Sequence, residues 1–237
     1  MTKILLIIPA YNEAENILKV YNSIQDYNQK RQANYDILVV NDGSKDNTEE
    51  ILSKNNINHI KLVHNLGIGG AVQTGYKYAL ENNYDIAIQF DGDGQHDVKY
   101  VNTIVKPIVN GQANMVIGSR FIDKNSSKFK SSASRRLGIK IISNAIKIKT
   151  GVKIYDTTSG FRAVDSKIIK LFAESYPREY PEPISTVNIL KQGLKVEEQP
   201  VNMHGRTAGT SSIKSWKTAY YMINVILSIL LMKGRNK

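Results

Sequence analysis

Asp85-Ile86-Ala87-Ile88-Gln89-Phe90-Asp91-Gly92-Asp93-Gly94-Gln95-His96 is the stretch from which the rest of the chain becomes readable. Residues 85–90 read as a strand that stops at Asp91, where carboxylates and glycines follow in alternation. Upstream, residues 4–8 form a continuous apolar run ended by Pro9, the pattern of a strand buried on both faces. Residues 35–40 and 59–64 supply two further strands. Helices are expected between them: one capped by Asn12 and running to about Tyr27, one from Asp46 to about Ser53, and one over 69–80. Downstream come a helix over 97–109 and a short strand over 115–117 before Gly118-Ser119-Arg120.

Strands alternating with helices imply an α/β fold, a mostly parallel sheet flanked by helices on both faces. Ligands on such sheets sit at the carboxyl ends of the strands. The polar clusters obey that rule, since Asn12 with Glu13, Asn41 with Asp42, Asn65, and Asp91 with Asp93 each follow a strand. The second half is less regular. It reads as a basic helix over 135–149, a turn at 156–160, a strand over 161–164, a helix over 166–175, a strand over 195–201 and a flexible stretch over 205–212. No repeat or linker divides the chain, so one domain is expected over 1–213, with an apolar helix and basic tail over 214–237.

The 237 residues are 41% hydrophobic and 22% charged, an ordinary globular composition that can bury a real core. The absence of cysteine removes disulfides, thiolate metal sites and cysteine nucleophiles. A net charge of +11 is unevenly spread: nine basic and no acidic residues lie between Lys124 and Lys153, and no acid follows Glu198. That asymmetry suits a polyanionic partner, whether a phosphorylated substrate, an anionic membrane or nucleic acid; a solvated face is the bland alternative. Nucleic acid is disfavoured because the basic helix lacks interleaved stacking aromatics. Residues 1–13 lack the features of a signal peptide. The apolar run over 219–232 is short of the roughly 20 residues a membrane crossing needs.

Asp91 and Asp93 can converge on one hard cation, Mg²⁺ or Mn²⁺. Such an ion would bridge the phosphates of a nucleotide donor and offset charge on a departing diphosphate. A polar turn with capping aspartates is the structural alternative. Asp42, in Asn41-Asp42-Gly43-Ser44, offers a carboxylate to a uracil imide or ribose hydroxyls, or caps a tight turn. Gly67-Ile68-Gly69-Gly70-Ala71 can cradle phosphate at a helix N-terminus, and close backbone packing accounts for it equally well.

Six motifs occur in order: Ile8-Pro9-Ala10-Tyr11-Asn12-Glu13, Val40-Asn41-Asp42-Gly43-Ser44, Asn65-Leu66-Gly67, Asp91-Gly92-Asp93-Gly94-Gln95-His96, Gly118-Ser119-Arg120 and Thr158-Ser159-Gly160-Phe161-Arg162-Ala163. The series resembles family 2 glycosyltransferases, in the branch of dolichyl-phosphate mannose synthase and bacterial polyprenyl-phosphate glycosyltransferases. The resemblance implies a GT-A type fold with a Rossmann-like half. By the same resemblance, Pro9, Tyr11, Glu13 and Asp42 match the nucleoside pocket, with Gly67 and Asp91 beside the diphosphate. Asp91, Asp93 and Gln95 match metal ligands, and Asp93, Arg120 and Arg206 the catalytic groups. Arg120, Arg135 or Arg136, and Arg206 match residues that meet donor and acceptor phosphates.

Two departures stand out: Asn41 replaces a usual aspartate, and Ile184 replaces a glutamate that often follows Glu182-Pro183. The second weakens any catalytic base in that region and suits an acceptor that needs none. The expected reaction is therefore inverting transfer of a hexose-type sugar from a UDP-sugar to a polyprenyl phosphate. The enzyme would work at the cytoplasmic face of the cell membrane, with residues 214–237 serving as an interfacial or oligomerising helix, or packing on the chain's own core. A transferase acting on a saccharide hydroxyl would need a base such as Asp93, Asp97, Asp156 or Glu182. A non-enzymatic nucleotide-binding protein or a nicotinamide oxidoreductase is the remote alternative.

Overall fold

The computed structural model describes residues 2–122, 133–203 and 215–232. The first half runs β1 (Ile4–Ala10), α1 (Ile17–Arg31), β2 (Tyr35–Asn41), α2 (Thr48–Lys54), β3 (His59–Lys61), α3 (Gly67–Glu81) and β4 (Ile86–Gln89). The second runs α4 (Val101–Val109), β5 (Met115–Ser119), α5 (Ala133–Thr150), β6 (Arg162–Asp165), α6 (Ser166–Glu174), α7 (Pro181–Lys191), β7 (Val196–Pro200) and α8 (Ser215–Leu231). The strands form one sheet in the order β3-β2-β1-β4-β6-β5-β7, parallel throughout except for β6, which runs against both neighbours.

The central strands are apolar on both faces because helices cover both. Leu5 and Ile7 of β1 pack in one core with Val72 and Tyr76 of α3, while Leu6 and Ile8 pack in the other with Ile17 and Ile24 of α1. Alternation along the strand delivers each side chain to its own layer. All four β1 residues are fully buried, and each such burial is worth about 1.5–3 kcal/mol. α8 is not a free appendage: Val225 and Ile229 lie in the α3-side core, where α8 packs on α5 and α7.

Two expectations are corrected, and one helix is added. Pro9 does not end β1 but pairs with Val40 inside it. Its missing N–H costs nothing there, because it points toward β4, whose pairing with β1 has ended at Gln89. Asn12 is not a helix cap. It adopts a left-handed φ of 56°, and α1 starts only at Ile17. Its side chain accepts from the Lys45 N–H at 2.8 Å, and its own N–H donates to Ser44 Oγ at 2.9 Å, lacing the loops after β1 and β2 together. Helix α7 was not foreseen, since Pro181 and Pro183 disguise it. Both sit in its first turn, where a helix has no use for their N–H groups.

The antiparallel β6 matters most for function. Arg162 at its start stands opposite Gln89 at the end of β4. The segment entering β6 must therefore pass over the tip of β4, which brings Thr158 and Gly160 to the acidic motif.

Candidate active site

A cavity of about 520 Å³ opens at the carboxyl ends of β1, β2 and β4. Pro9, Tyr11 and Glu13 line it from the end of β1, and Asp42 from the end of β2. Gly67 at the start of α3 faces Asp91 and Asp93 across it. All the residues assigned to the nucleoside and diphosphate thus share one pocket.

Each is held by the local chain. Asp42 is 3% exposed and accepts the Leu66 N–H at 2.7 Å, tying β2 to the start of α3. Burial pushes its pKa up, opposed by the Leu66 and Gly67 N–H groups. Glu13 takes the Asn16 side-chain amide at 2.9 Å, and its N–H donates to Thr48 Oγ1 at 3.0 Å. Asn41 has a reason to be an amide: its Nδ2 donates to Glu49 at 2.7 Å while its Oδ1 accepts from the Ser44 N–H at 3.0 Å. An aspartate there would face a second carboxylate. The glycine-rich turn borders the cavity and also packs closely. Gly67, Ile68 and Ala71 line the cavity, whereas a Cβ on Gly69 would collide with the Pro177–Arg178 backbone.

At the tip of β4, His96 fixes Asp91. Its Nδ1 accepts the Asp91 N–H at 3.0 Å, which leaves the proton on Nε2, 3.4 Å from Asp91 Oδ2. The ring is stacked on Phe161 at 4.8 Å and meets Phe90 edge-on at 5.4 Å. Burial holds its pKa down, against the nearby charges of Asp91 and Asp93, so it stays a neutral donor. Asp93 is 4% exposed and its Oδ1 accepts the Gln95 N–H at 3.0 Å. Two carboxylates facing one cavity suit a hard divalent cation that takes its remaining ligands from phosphates and water. No cluster of three acidic or histidine residues able to hold a metal occurs among the described residues. Gln95 is not among the residues lining the cavity.

Arg120 stands apart from the pocket wall. Its backbone N–H, Nε and Nη2 bind Asp156 at 3.0, 2.7 and 2.8 Å, with Nη2 also 3.2 Å from Thr158 Oγ1. Arg120 is 5% exposed and Asp156 fully buried, so this pair builds the base of the segment that crosses the site. Arg136 is exposed near the start of α5. The side chain of Arg135 and all of Arg206 lie outside the described residues.

Of the residues at the site, Gln89 was not singled out from the sequence, Glu182 was named only as a base for a saccharide hydroxyl, and Arg162 only within a motif. Gln89 and Glu182 line the cavity, and the buried Arg162 holds the first turn of α7 through the Glu182 carbonyl and the Ser185 and Thr186 hydroxyls, at 2.7, 3.1 and 3.1 Å. Gln89 carried a signal, as a polar interruption of an otherwise apolar strand. Glu182 was visible as a carboxylate, but its place at the cavity depends on an unexpected helix. Burial pushes the Glu182 pKa up; Arg162 opposes this and the Asp91 charge adds to it.

A doubly covered sheet with an acidic strand tip beside a nucleoside-sized pocket defines a nucleotide-sugar transferase architecture. The Glycosyl transferase family 2 model matches residues 5–171, and the chain belongs to that family. It is 33% identical to UDP-N-acetylglucosamine–dolichyl-phosphate N-acetylglucosaminyltransferase of Methanococcus voltae, covering 93% of this chain and 94% of the relative. It is 24% identical to undecaprenyl-phosphate mannosyltransferase of Micrococcus luteus, covering 94% and 92%. Glucosyl-3-phosphoglycerate synthase of Mycobacterium tuberculosis, solved with Mn²⁺, UDP and glucosyl-3-phosphoglycerate, shares the GT-A fold. The TM-score is 0.68 at 17% identity, over 97% of this chain and 79% of that one.

Proposed function

We propose that the protein transfers a sugar from a UDP-sugar to a polyprenyl phosphate with inversion at the anomeric carbon. The observation that carries this is a single cavity lined both by Asp42, Tyr11 and Glu13 and by Asp91 and Asp93. Its size is that of a small-molecule site. The names of the Methanococcus and Micrococcus relatives support the lipid phosphate, and the first also supports UDP. A base plus ribose would lie against Tyr11, Glu13 and Asp42, with the diphosphate toward Gly67 and the N-terminus of α3. Asp91 and Asp93 would hold Mg²⁺ or Mn²⁺, which stabilises charge on the leaving diphosphate. An acceptor phosphate oxygen forms the new bond to the anomeric carbon as the bond to the UDP oxygen breaks. The electron pair leaves with UDP, and no proton need be removed, because a phosphate monoester is already anionic.

Arginines near the acceptor would offset repulsion between the two anions. Arg120, Arg135, Arg136 and Arg206 are the candidates. Of the carboxylates able to activate a saccharide hydroxyl instead, Asp156 is bound to Arg120 and Asp97 lines a different hollow, beside α1. Incubation with radiolabelled UDP-sugar and polyprenyl phosphate should yield a lipid-extractable, acid-labile product. Label found solely on soluble glycan would overturn the lipid acceptor.

Gly160 lies so close to the metal motif that a Cβ there would stand 2.8 Å from Gln89 Nε2 and 3.1 Å from both Asp91 carboxylate oxygens. Gly160→Ala is expected to weaken Mn²⁺-dependent UDP binding at least about tenfold by displacing Asp91, roughly 1.4 kcal/mol. Calorimetry reads this directly, and an unchanged affinity would remove Asp91 from the diphosphate site.

Membrane association belongs to the same proposal. No helix among the described residues is long and apolar enough to cross a bilayer. Ile223, Leu227, Leu230 and Leu231 are nevertheless exposed along one face of α8, and Leu137, Ile141 and Ile148 along α5 beside it. Lys140 and Lys147 are exposed on α5, which suits an anionic lipid surface. Deleting the helix would strip Val225 and Ile229 from the core, so a surface change is the cleaner probe. Ile223→Glu with Leu227→Glu should abolish co-flotation with phosphatidylglycerol vesicles and leave the melting temperature within a few degrees. Flotation equal to that of the unmodified protein would refute the lipid-facing role.

A further inference from the structure

Beneath the cavity lies a cluster of buried polar groups that neither the diphosphate nor the acceptor phosphate accounts for. Gln89 and Arg162 are paired across β4 and β6, so their side chains rise from the same face of the sheet. Both are 1% exposed. Tyr76, fully buried on α3, joins them, and Glu182 closes the group from the first turn of α7. Burying so many polar groups is costly unless each finds a partner, and interiors as a rule supply one. Here three atoms have none among the described residues: Gln89 Oε1, Arg162 Nη2 and Tyr76 OH.

The groups are not loosely arranged. Arg162 Nε donates to the Ser159 carbonyl at 2.7 Å, and Nη1 to the Glu182 carbonyl at 2.7 Å, which fixes the turn that carries the Glu182 side chain. Gln89 donates to the Glu182 carboxyl from the strand side. Gln89 and Glu182 both line the cavity next to Asp91, and Gly160 leaves their side of the pocket open. Asp91 belongs to the diphosphate end, so what lies beside it, away from Asp42 and Tyr11, is the part of the donor beyond the diphosphate.

We propose that Gln89 and Glu182 form the subsite that reads the hydroxyl groups of the donor's sugar ring, with Arg162 as the positioning residue that sets Glu182 in place. This rests on the nucleotide-sugar reading above. A hydroxyl both donates and accepts, so it can receive from the Gln89 amide N–H beside Gly160 while giving its proton to the Glu182 carboxyl. A pocket built to pair a hydroxyl discriminates strongly against a sugar lacking it, because the protein groups are then left unpaired. The subsite would thus choose the sugar, while Asp42 and the acidic pair hold the nucleotide common to all UDP-sugars.

The test uses the full chain with Mn²⁺ and calorimetric titration of UDP, UDP-glucose, UDP-galactose, UDP-N-acetylglucosamine and UDP-xylose, which vary the ring substituents at different carbons. Gln89→Met and the near-isosteric Glu182→Gln are compared with the unmodified protein. Both are expected to bind UDP within about twofold of it and to lose about tenfold or more toward the preferred UDP-sugar. The loss should shrink toward the sugar that lacks the recognised group, since protein and ligand changes remove the same contact. Equal losses for UDP and for every UDP-sugar would assign the residues to structure and overturn the inference. So would unchanged sugar preference, with ordered water then completing the cluster. Failure of the unmodified protein to bind UDP at all would instead bring down the nucleotide-sugar reading, and this inference with it.

Discussion

Asp91→Asn combined with Asp93→Asn should reduce sugar transfer by about a thousandfold or more, roughly 4 kcal/mol of transition-state stabilisation. The fold should survive the change. Asp91 is 31% exposed at the side chain, and its backbone N–H, not its carboxylate, makes the bond to His96 Nδ1. Asp93 uses Oδ1 to accept the Gln95 N–H, and an asparagine Oδ1 can accept it equally well. What disappears is the pair of negative charges, and with it the cation affinity that the proposed mechanism requires. Circular dichroism should show an unchanged melt, while paramagnetic resonance should show free Mn²⁺ where the unmodified protein binds it. Transfer that persists in the double variant would take the acidic pair out of the reaction altogether.

The second large effect is on stability. Asp156→Ala is expected to destabilise the protein by about 3–5 kcal/mol, read as a shifted urea midpoint, because it strands a buried guanidinium. Arg120 is 5% exposed and directs its backbone N–H and two guanidinium nitrogens at Asp156, so little water can replace the lost carboxylate. Arg120→Met with Asp156→Leu removes both charges at once and should recover much of that stability. The same double variant separates two roles for Arg120. If Arg120 also meets a phosphate, transfer stays abolished although the protein is stable. Recovery of transfer would confine Arg120 to holding the segment over the tip of β4.

Some of this was legible in the chain alone. The continuous apolar runs announced strands covered on both faces, and the polar clusters after them pointed to a cavity at their carboxyl ends. Pro9, Tyr11, Glu13, Asp42, Gly67, Asp91 and Asp93 do meet in one cavity. These signals are local: a strand's period and the residue that ends it lie within a few positions of each other. Errors came where distant partners decided. Asn12 resembles a cap, yet Ser44 and Lys45 hold it in a left-handed turn. Pro9 resembles a strand terminator, yet the early end of β4 leaves its missing N–H without consequence.

Sequence by itself therefore determined the doubly wound sheet, the polar loops after β1 and β2 and the acidic strand tip, because each is written in hydrophobic period and turn chemistry over short distances. Tertiary structure alone decided that β6 runs antiparallel into the middle of the sheet. That topology sets Arg162 against Gln89 and draws α7 with Glu182 over the pocket floor. The physical reason is separation along the chain: Gln89 and Arg162 stand far apart in sequence, and nothing in either neighbourhood encodes their pairing. Burial in a common core joins them, and only the folded chain shows it.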